Sequence, residues 1–147
     1  MSLRTTNSGY GKEFYENGNV AYEGEWTNGK RNGKGKSFSE NSKLRYDGEW
    51  ENDIAHGNGK SFDENGLLWY DGDHVNDEWH GNGKQFYKNG NVEYEGEFQN
   101  DKWHGNGKQF YEDGNLDYED ESENDEWYGK DYVNLFNHVN NGKRFGV

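Results

Sequence analysis

Apolar and polar residues alternate with a period of two along Val20-Ala21-Tyr22-Glu23-Gly24-Glu25-Trp26. This is the pattern of a strand that turns one face to a core. Val20, Tyr22, Gly24 and Trp26 fall on one face; Ala21, Glu23 and Glu25 fall on the other. Asn28-Gly29 follows, a dipeptide that tolerates positive φ and closes tight hairpins. A second strand is expected from about Lys34 to Ser39, carrying Phe38, and a second turn over Glu40 to Lys43. Then the pattern starts again.

It restarts every 24 residues. Tyr22, Tyr46, Tyr70, Tyr94 and Tyr118 keep this spacing, as do Phe14, Phe38, Phe62, Phe86 and Phe110. Lys12, Lys36, Lys60, Lys84 and Lys108 form a third column, and Asn28, Asn52, Asn76, Asn100 and Asn124 a fourth. Glycines recur as G-x-G pairs: Gly9/Gly11, Gly33/Gly35, Gly57/Gly59, Gly81/Gly83 and Gly105/Gly107. The first turn reads Asn-Gly once and Asn-Asp in the later copies. A fixed period of this size marks a repeat architecture.

One hairpin is marginal in water, so five must pair laterally. The fold class expected is all-β: an elongated, single-layer, twisted antiparallel sheet of five hairpin repeats. Two strands per copy advance such a sheet by about 10 Å. Stability then becomes a sum over repeats and their interfaces. Large rings set against small glycines can lie over the glycine backbone, so the aromatics build the core that aliphatics would otherwise supply.

After Gly129 the pattern changes. Tyr132, Leu135, Phe136 and Val139 have the spacing of a helix face, which predicts a short C-terminal capping helix from about Asp131 to Val139. The organisation expected is a flexible N-terminus over 1–8, the array over 9–129 and a cap over 130–147. The fifth copy is degraded: Glu119-Asp120-Glu121-Ser122 stands where the first has Glu23-Gly24-Glu25-Trp26.

Composition alone points elsewhere. With 6 Leu, 6 Val, 1 Ile and 8 Phe and a net charge of −13, the compositional rule predicts disorder. An aromatic content of 17% and the unbroken period argue against it. The negative charge disfavours nucleic acid and anionic lipid surfaces, and favours a protein partner with a basic patch. The absence of cysteine removes disulfides, thiol catalysis and thiolate metal sites. Residues 1–14 lack the apolar stretch of a secretory signal, and no apolar run reaches membrane-spanning length. A cytoplasmic location is expected.

The segment from Tyr22 to Gly35 (Y-E-G-E-W-T-N-G-K-R-N-G-K-G) closely resembles the MORN repeat, membrane occupation and recognition nexus. The pattern Y-x-G-x-W, N-G, G-x-G recurs at Tyr46 to Trp50, and with changes at Tyr70 to His74 and Tyr94 to Phe98. Together the copies span roughly residues 9–129. His74, Phe98 and Ser122 depart from the tryptophan, and Asp120 from the glycine. The resemblance implies a twisted antiparallel sheet with a groove, protein interaction or dimerisation, and phospholipid-headgroup binding as proposed for some members. It implies no catalytic activity.

Residues that carry chemistry elsewhere have plain readings here. Gly24 to Lys30 matches G-x-x-x-x-G-K, but Arg31 stands where a phosphate loop needs Ser or Thr, and strands flank it. His56, His80 and His104 form a column whose members are about 10 Å apart by strand spacing, too far to share an ion. Glu23, Asp47, Asp71, Glu95 and Glu119, with Glu25, Glu49, Asp73, Glu97 and Glu121, supply carboxylates but no burial to split their pKa values. They read as a solvated face. Neither cofactor nor metal is expected, and no enzyme.

The aromatic face is the candidate contact surface: Tyr22, Trp26, Tyr46, Trp50, Tyr70, Tyr94 and Phe98 line either a closed core or an open groove. Trp79 and Trp103, with Trp127, are placed in loops before G-x-G as a second row. The reading is a non-catalytic protein-interaction or assembly scaffold, with homodimerisation through terminal strands or the groove as one route. A glycan- or cell-wall-binding aromatic module is the alternative, and phospholipid binding follows from resemblance alone.

Overall fold

The computed structural model describes residues 3–127. The expected capping helix lies outside them. The chain divides into two compact units, Met1–Asp77 and Glu78–Val147. The first holds β1 (Leu3–Arg4), β2 (Gly9–Phe14), β3 (Val20–Thr27), β4 (Lys30–Phe38), β5 (Leu44–Glu51), β6 (Ile54–Phe62) and β7 (Leu68–Val75). The second holds β8 (Glu78–Phe86), β9 (Val92–Gln99), β10 (Lys102–Phe110), β11 (Leu116–Glu123) and β12 (Glu126–Trp127). Within each unit every strand pairs antiparallel with the next in sequence. The described residues are all-β, as the period-2 pattern predicts.

Two kinds of turn alternate. Asn28-Gly29, Asn52-Asp53, Asn100-Asp101 and Asn124-Asp125 have positive φ at both residues, from 49° to 78°. That is the type I′ turn, whose twist matches a hairpin. The other turns are five residues long, and in four of them glycine takes the left-handed position: Gly18, Gly66, Gly90 and Gly114. There Gly18 N–H donates to Tyr15 C=O at 3.0 Å and Tyr15 N–H to Asn19 C=O at 2.9 Å.

Two irregularities revise the expected elements. The second strand of the first hairpin begins at Lys30, not Lys34. Trp26 faces Arg31 and Gly24 faces Gly35, so β4 spends two extra residues where β3 spends one. A bulge absorbs the segment that reads as loop. For the same reason Trp79 and Trp103 lie within β8 and β10 and not in loops. The second irregularity precedes each tyrosine. Glu13 faces Tyr22 but Phe14 faces Val20, leaving Ala21 as an extra residue. The bulge moves Val20 off the tyrosine face and brings Ala21, only 4% exposed, into the core.

From Leu3 onward the N-terminal residues are tied to β2. β1 pairs with β2 through Leu3 and Arg4. Thr5 N–H donates to Lys12 C=O at 2.8 Å, and Lys12 N–H to Thr5 Oγ1 at 2.7 Å. Thr6 covers Gly11, where a Cβ would overlap its methyl group. These residues close the outer edge of β2, as a terminal repeat requires.

Candidate functional site

The tyrosine column organises one face. A Cβ on Gly35 would overlap the Tyr22 phenol, one on Gly59 that of Tyr46, and one on Gly107 that of Tyr94. Each ring therefore lies on the second glycine of the following G-x-G. Each hydroxyl donates to the carbonyl three residues on: Tyr22 to Glu25, Tyr46 to Glu49 and Tyr70 to Asp73 at 2.8 Å, Tyr94 to Glu97 at 2.9 Å. Burial without loss of this bond is the condition for placing a phenol in a core. Desolvation pushes the Tyr22 hydroxyl up to about 12, with Arg31 opposing, and pushes Tyr46 and Tyr94 upward as well.

Trp26 and Trp50 stand edge-on to Tyr22 with centroids 5.0 and 5.3 Å away, and Trp50 stands 5.1 Å from Tyr46. Their indole N–H groups donate to Gly11 C=O at 3.1 Å and Gly35 C=O at 2.9 Å. In the second unit Phe98 is edge-on to Tyr94 at 5.0 Å, and Trp103 stacks on Tyr94 at 4.6 Å. Such ring pairs contribute about 0.5–1.5 kcal/mol each beyond the area they bury.

All nine candidate contact residues are buried: Tyr22, Trp26, Tyr46, Trp50, Tyr70, Trp79, Tyr94, Phe98 and Trp103 are each at most 8% exposed. The aromatic face is the core of each unit, and among the described residues these nine rings line a closed core and not an open groove. Opposed positions at the hairpin ends trade volume. Trp26 faces Arg31, Trp50 faces Ala55, and Phe98 faces Trp103. Arg31 fills its place by lying over the Tyr22 and Trp50 rings, 4.8 and 5.2 Å from their centroids, with its charge met by Glu13 at 3.0 Å. Where Trp103 stands instead, Gln85 accepts its indole N–H at 3.0 Å. Spacing alone could not reveal this pairing, because the two columns meet only through the type I′ turn and the bulge.

The turn aspartates hold the repeats together, a role that sequence reading missed. Asp53 accepts from Arg31 N–H, Asp77 from Ala55 N–H and Asp101 from Trp79 N–H at 2.8 Å, and Asp125 from Trp103 N–H at 2.7 Å. The amides of the same aspartates donate back to the carbonyls of Arg31, Ala55, Trp79 and Trp103 at 2.9 to 3.0 Å. Each turn is thus bolted to the preceding hairpin. The signal was present as the Asp column after Asn, but turn chemistry alone accounted for it. At the other end, Asn17 and Asn19 donate to Glu40 C=O, and Asn89 and Asn91 to Glu112 C=O.

The opposite face carries the charge. Lys12, Glu23, Lys36, Asp47, Lys60 and Asp71 face one another in turn across β2 to β7, and Lys84, Glu95, Lys108 and Glu119 do so across β8 to β11. Lys84 and Glu95 form an ion pair at 3.7 Å. The second carboxylate row does more than keep the face wet. Glu25 accepts from Lys34 N–H and Glu49 from Asn58 N–H at 2.7 Å, and Glu97 from Asn106 N–H at 2.8 Å, satisfying amides that the bulges free. The Phe column lies one residue beyond the tyrosine-facing Ser37 and its equivalents. It therefore shares the charged face, half-buried and opposite Val20, Leu44, Leu68, Val92 and Leu116.

Among the described residues, an open polar groove lies on this face in each unit. One, of about 290 Å³, is lined by Lys34, Asp47, Glu49, Asn58, Lys60 and Asp71 in the first unit. The other, of about 450 Å³, is lined by Glu95, Asn106, Lys108, Glu119 and Asp120 in the second. His56, His80 and His104 are half-buried. Among the described residues no three His, Cys, Asp or Glu side chains are grouped to hold a metal ion. No helix among them is long and apolar enough to cross a membrane.

Stacked hairpins with a recurring ring-on-glycine contact define a β-hairpin repeat protein. The chain belongs to the MORN repeat family. The MORN repeat matches residues 22–42, 46–67 and 94–116, and the MORN repeat variant matches 8–28 and 79–100. The stretch around His74 falls between matched segments. No curated protein matches the chain significantly.

Proposed function

We propose that the chain is a non-catalytic protein-interaction or assembly scaffold that meets its partner through the charged face. The observation that carries this reading is the closure of the aromatic face: with all nine rings buried, the broad surface left in each unit is the Lys/acid ladder with its polar groove and flanking phenylalanines. MORN repeats point to a binding or scaffold role of this kind. Seven acidic side chains serve the backbone instead: the turn aspartates and Glu25, Glu49 and Glu97 hold backbone amides. The nine buried rings are also closed to stacking by a sugar, which disfavours the glycan reading as it was built on them. The net charge of −13 favours a partner with a basic patch and disfavours nucleic acid and anionic membranes.

The test compares affinity capture by the unaltered chain with capture by Asp47→Lys/Asp71→Lys and Glu95→Lys/Glu119→Lys baits at low and high salt. The expected result is a salt-sensitive partner that at least one double variant loses while both stay folded. A partner retained equally by all three baits, or no partner at any salt concentration, contradicts the proposal.

A further inference from the structure

The slot filled by Trp26 and Trp50 holds His74 in the next copy and Phe98 in the one after. Only histidine, of these, changes charge between about pH 5 and 8. We propose that His74 makes the first unit acid-sensitive: protonation of its ring weakens the β6–β7 pairing.

The ring is 2% exposed. It stands edge-on to Tyr46 at 4.9 Å and to Tyr70 at 5.1 Å, continuing the ladder of rings that runs from Trp26. Nδ1 lies 3.1 Å from Gly72 C=O, which can only accept, so Nδ1 carries the proton. Nε2 lies 2.9 Å from Ser61 Oγ and accepts the hydroxyl proton. The neutral ring therefore has both nitrogens satisfied. A second proton on Nε2 puts a positive charge among aromatic rings and turns the Ser61 hydroxyl from donor to acceptor.

The surroundings do not rescue the cation. β5 presents the Tyr46 ring, and β6 presents Ser61 and the Gly57 carbonyl. β7 presents Asp73 and Tyr70, and the turn after it presents Asp77. The Gly72 and Gly57 carbonyls and the two aspartates favour the charged form, but burial outweighs them and holds the imidazole below its ordinary value. The sign follows from linkage. The opened segment takes up a proton near the ordinary histidine pKa of about 6.5, while the closed one does not until a lower pH. Stability is present above that value and falls as pH drops below it, by about tenfold in the opening equilibrium per pH unit until the closed-state pKa is reached.

The experiment follows the intact chain by NMR titration of the His74 ring and by hydrogen exchange of segments at pH 7.5 and 5.5, corrected for intrinsic rates. The expected midpoint lies below that of an unfolded histidine peptide, and exchange over residues 60–77 speeds up at the lower pH, by at most about tenfold. His74→Phe should fold, since Phe98 occupies the equivalent slot, and should lose this response. A His74 midpoint at or above the peptide value overturns the proposal, as does an equal acid response in His74→Phe. If that variant does not fold, the titration of the unaltered chain still decides.

Discussion

The tyrosine-on-glycine contact is the smallest unit of this fold. It explains why glycine recurs inside strands, where it costs about 0.5–1 kcal/mol relative to alanine. Gly35→Ala and Gly59→Ala should each lower stability by about 1–3 kcal/mol, the usual range for forced overpacking, because the added methyl meets the Tyr22 or Tyr46 ring. Gly18→Ala is the contrasting case: its φ is +90° but nothing lies within 4 Å, so only the left-handed backbone cost of about 1–2 kcal/mol applies. Urea midpoints of a set that includes Tyr22→Leu separate the two mechanisms, since losing the ring should relieve the Gly35→Ala clash and leave the Gly18→Ala cost unchanged. The same burial holds the Tyr22 proton up to about 12. The unfolded phenol ionises near 10, so stability should fall as pH rises between these values. Absorbance titration of the 11 tyrosines should show a late-ionising class. A single class near 10 with the fold intact would contradict the burial described.

At the level of elements, the hairpins were legible because their turn dipeptides and alternation are local properties. The positive φ of Asn28-Gly29 and its equivalents follows directly from Asn, Asp and Gly. What sequence concealed were the bulges. Lys30 to Asn32 and Trp79 read as loop because period-2 alternation slips where two extra residues enter. The slip also hid that Val20 leaves the tyrosine face and that Trp79 and Trp103 are core. The repeat-to-repeat lock was hidden for another reason: an aspartate in a turn satisfies turn propensity whether or not its carboxylate reaches a neighbour. Asp101→Ala should cost about 1–2 kcal/mol by stranding the Trp79 amide, whereas Asp101→Asn keeps an acceptor oxygen and should cost much less. Thermal unfolding of the pair reads the difference; equal losses would mean that the lock contributes through charge or turn geometry.

For the molecule as a whole, composition pointed to disorder and periodicity to order, and periodicity won. The reason is visible in the core. Tyrosine, tryptophan and glycine supply the burial that 6 Leu, 6 Val and 1 Ile could not, and each ring contact is completed by the next strand. Seven of the aromatic candidates were legible as one face, but not as a closed one, and Trp79 and Trp103 were not legible as part of it. Closure depends on how Arg31, Ala55 and Trp103 fill the space beside Trp26, Trp50 and Phe98, which only cross-strand register reveals. The charged face was legible as columns of Lys and acid, and its ladder became a surface once the strands were in register.

The central claim is that each hairpin is completed by the next, through a buried ring and a turn aspartate. Residue-resolved amide exchange on the intact chain tests it most directly. The amides of Arg31, Ala55, Trp79 and Trp103, each held by the aspartate of the following turn, should exchange as slowly as those in the strand interiors. Exchange of these four at the rate of an open chain, while the strand interiors stay protected, would contradict it.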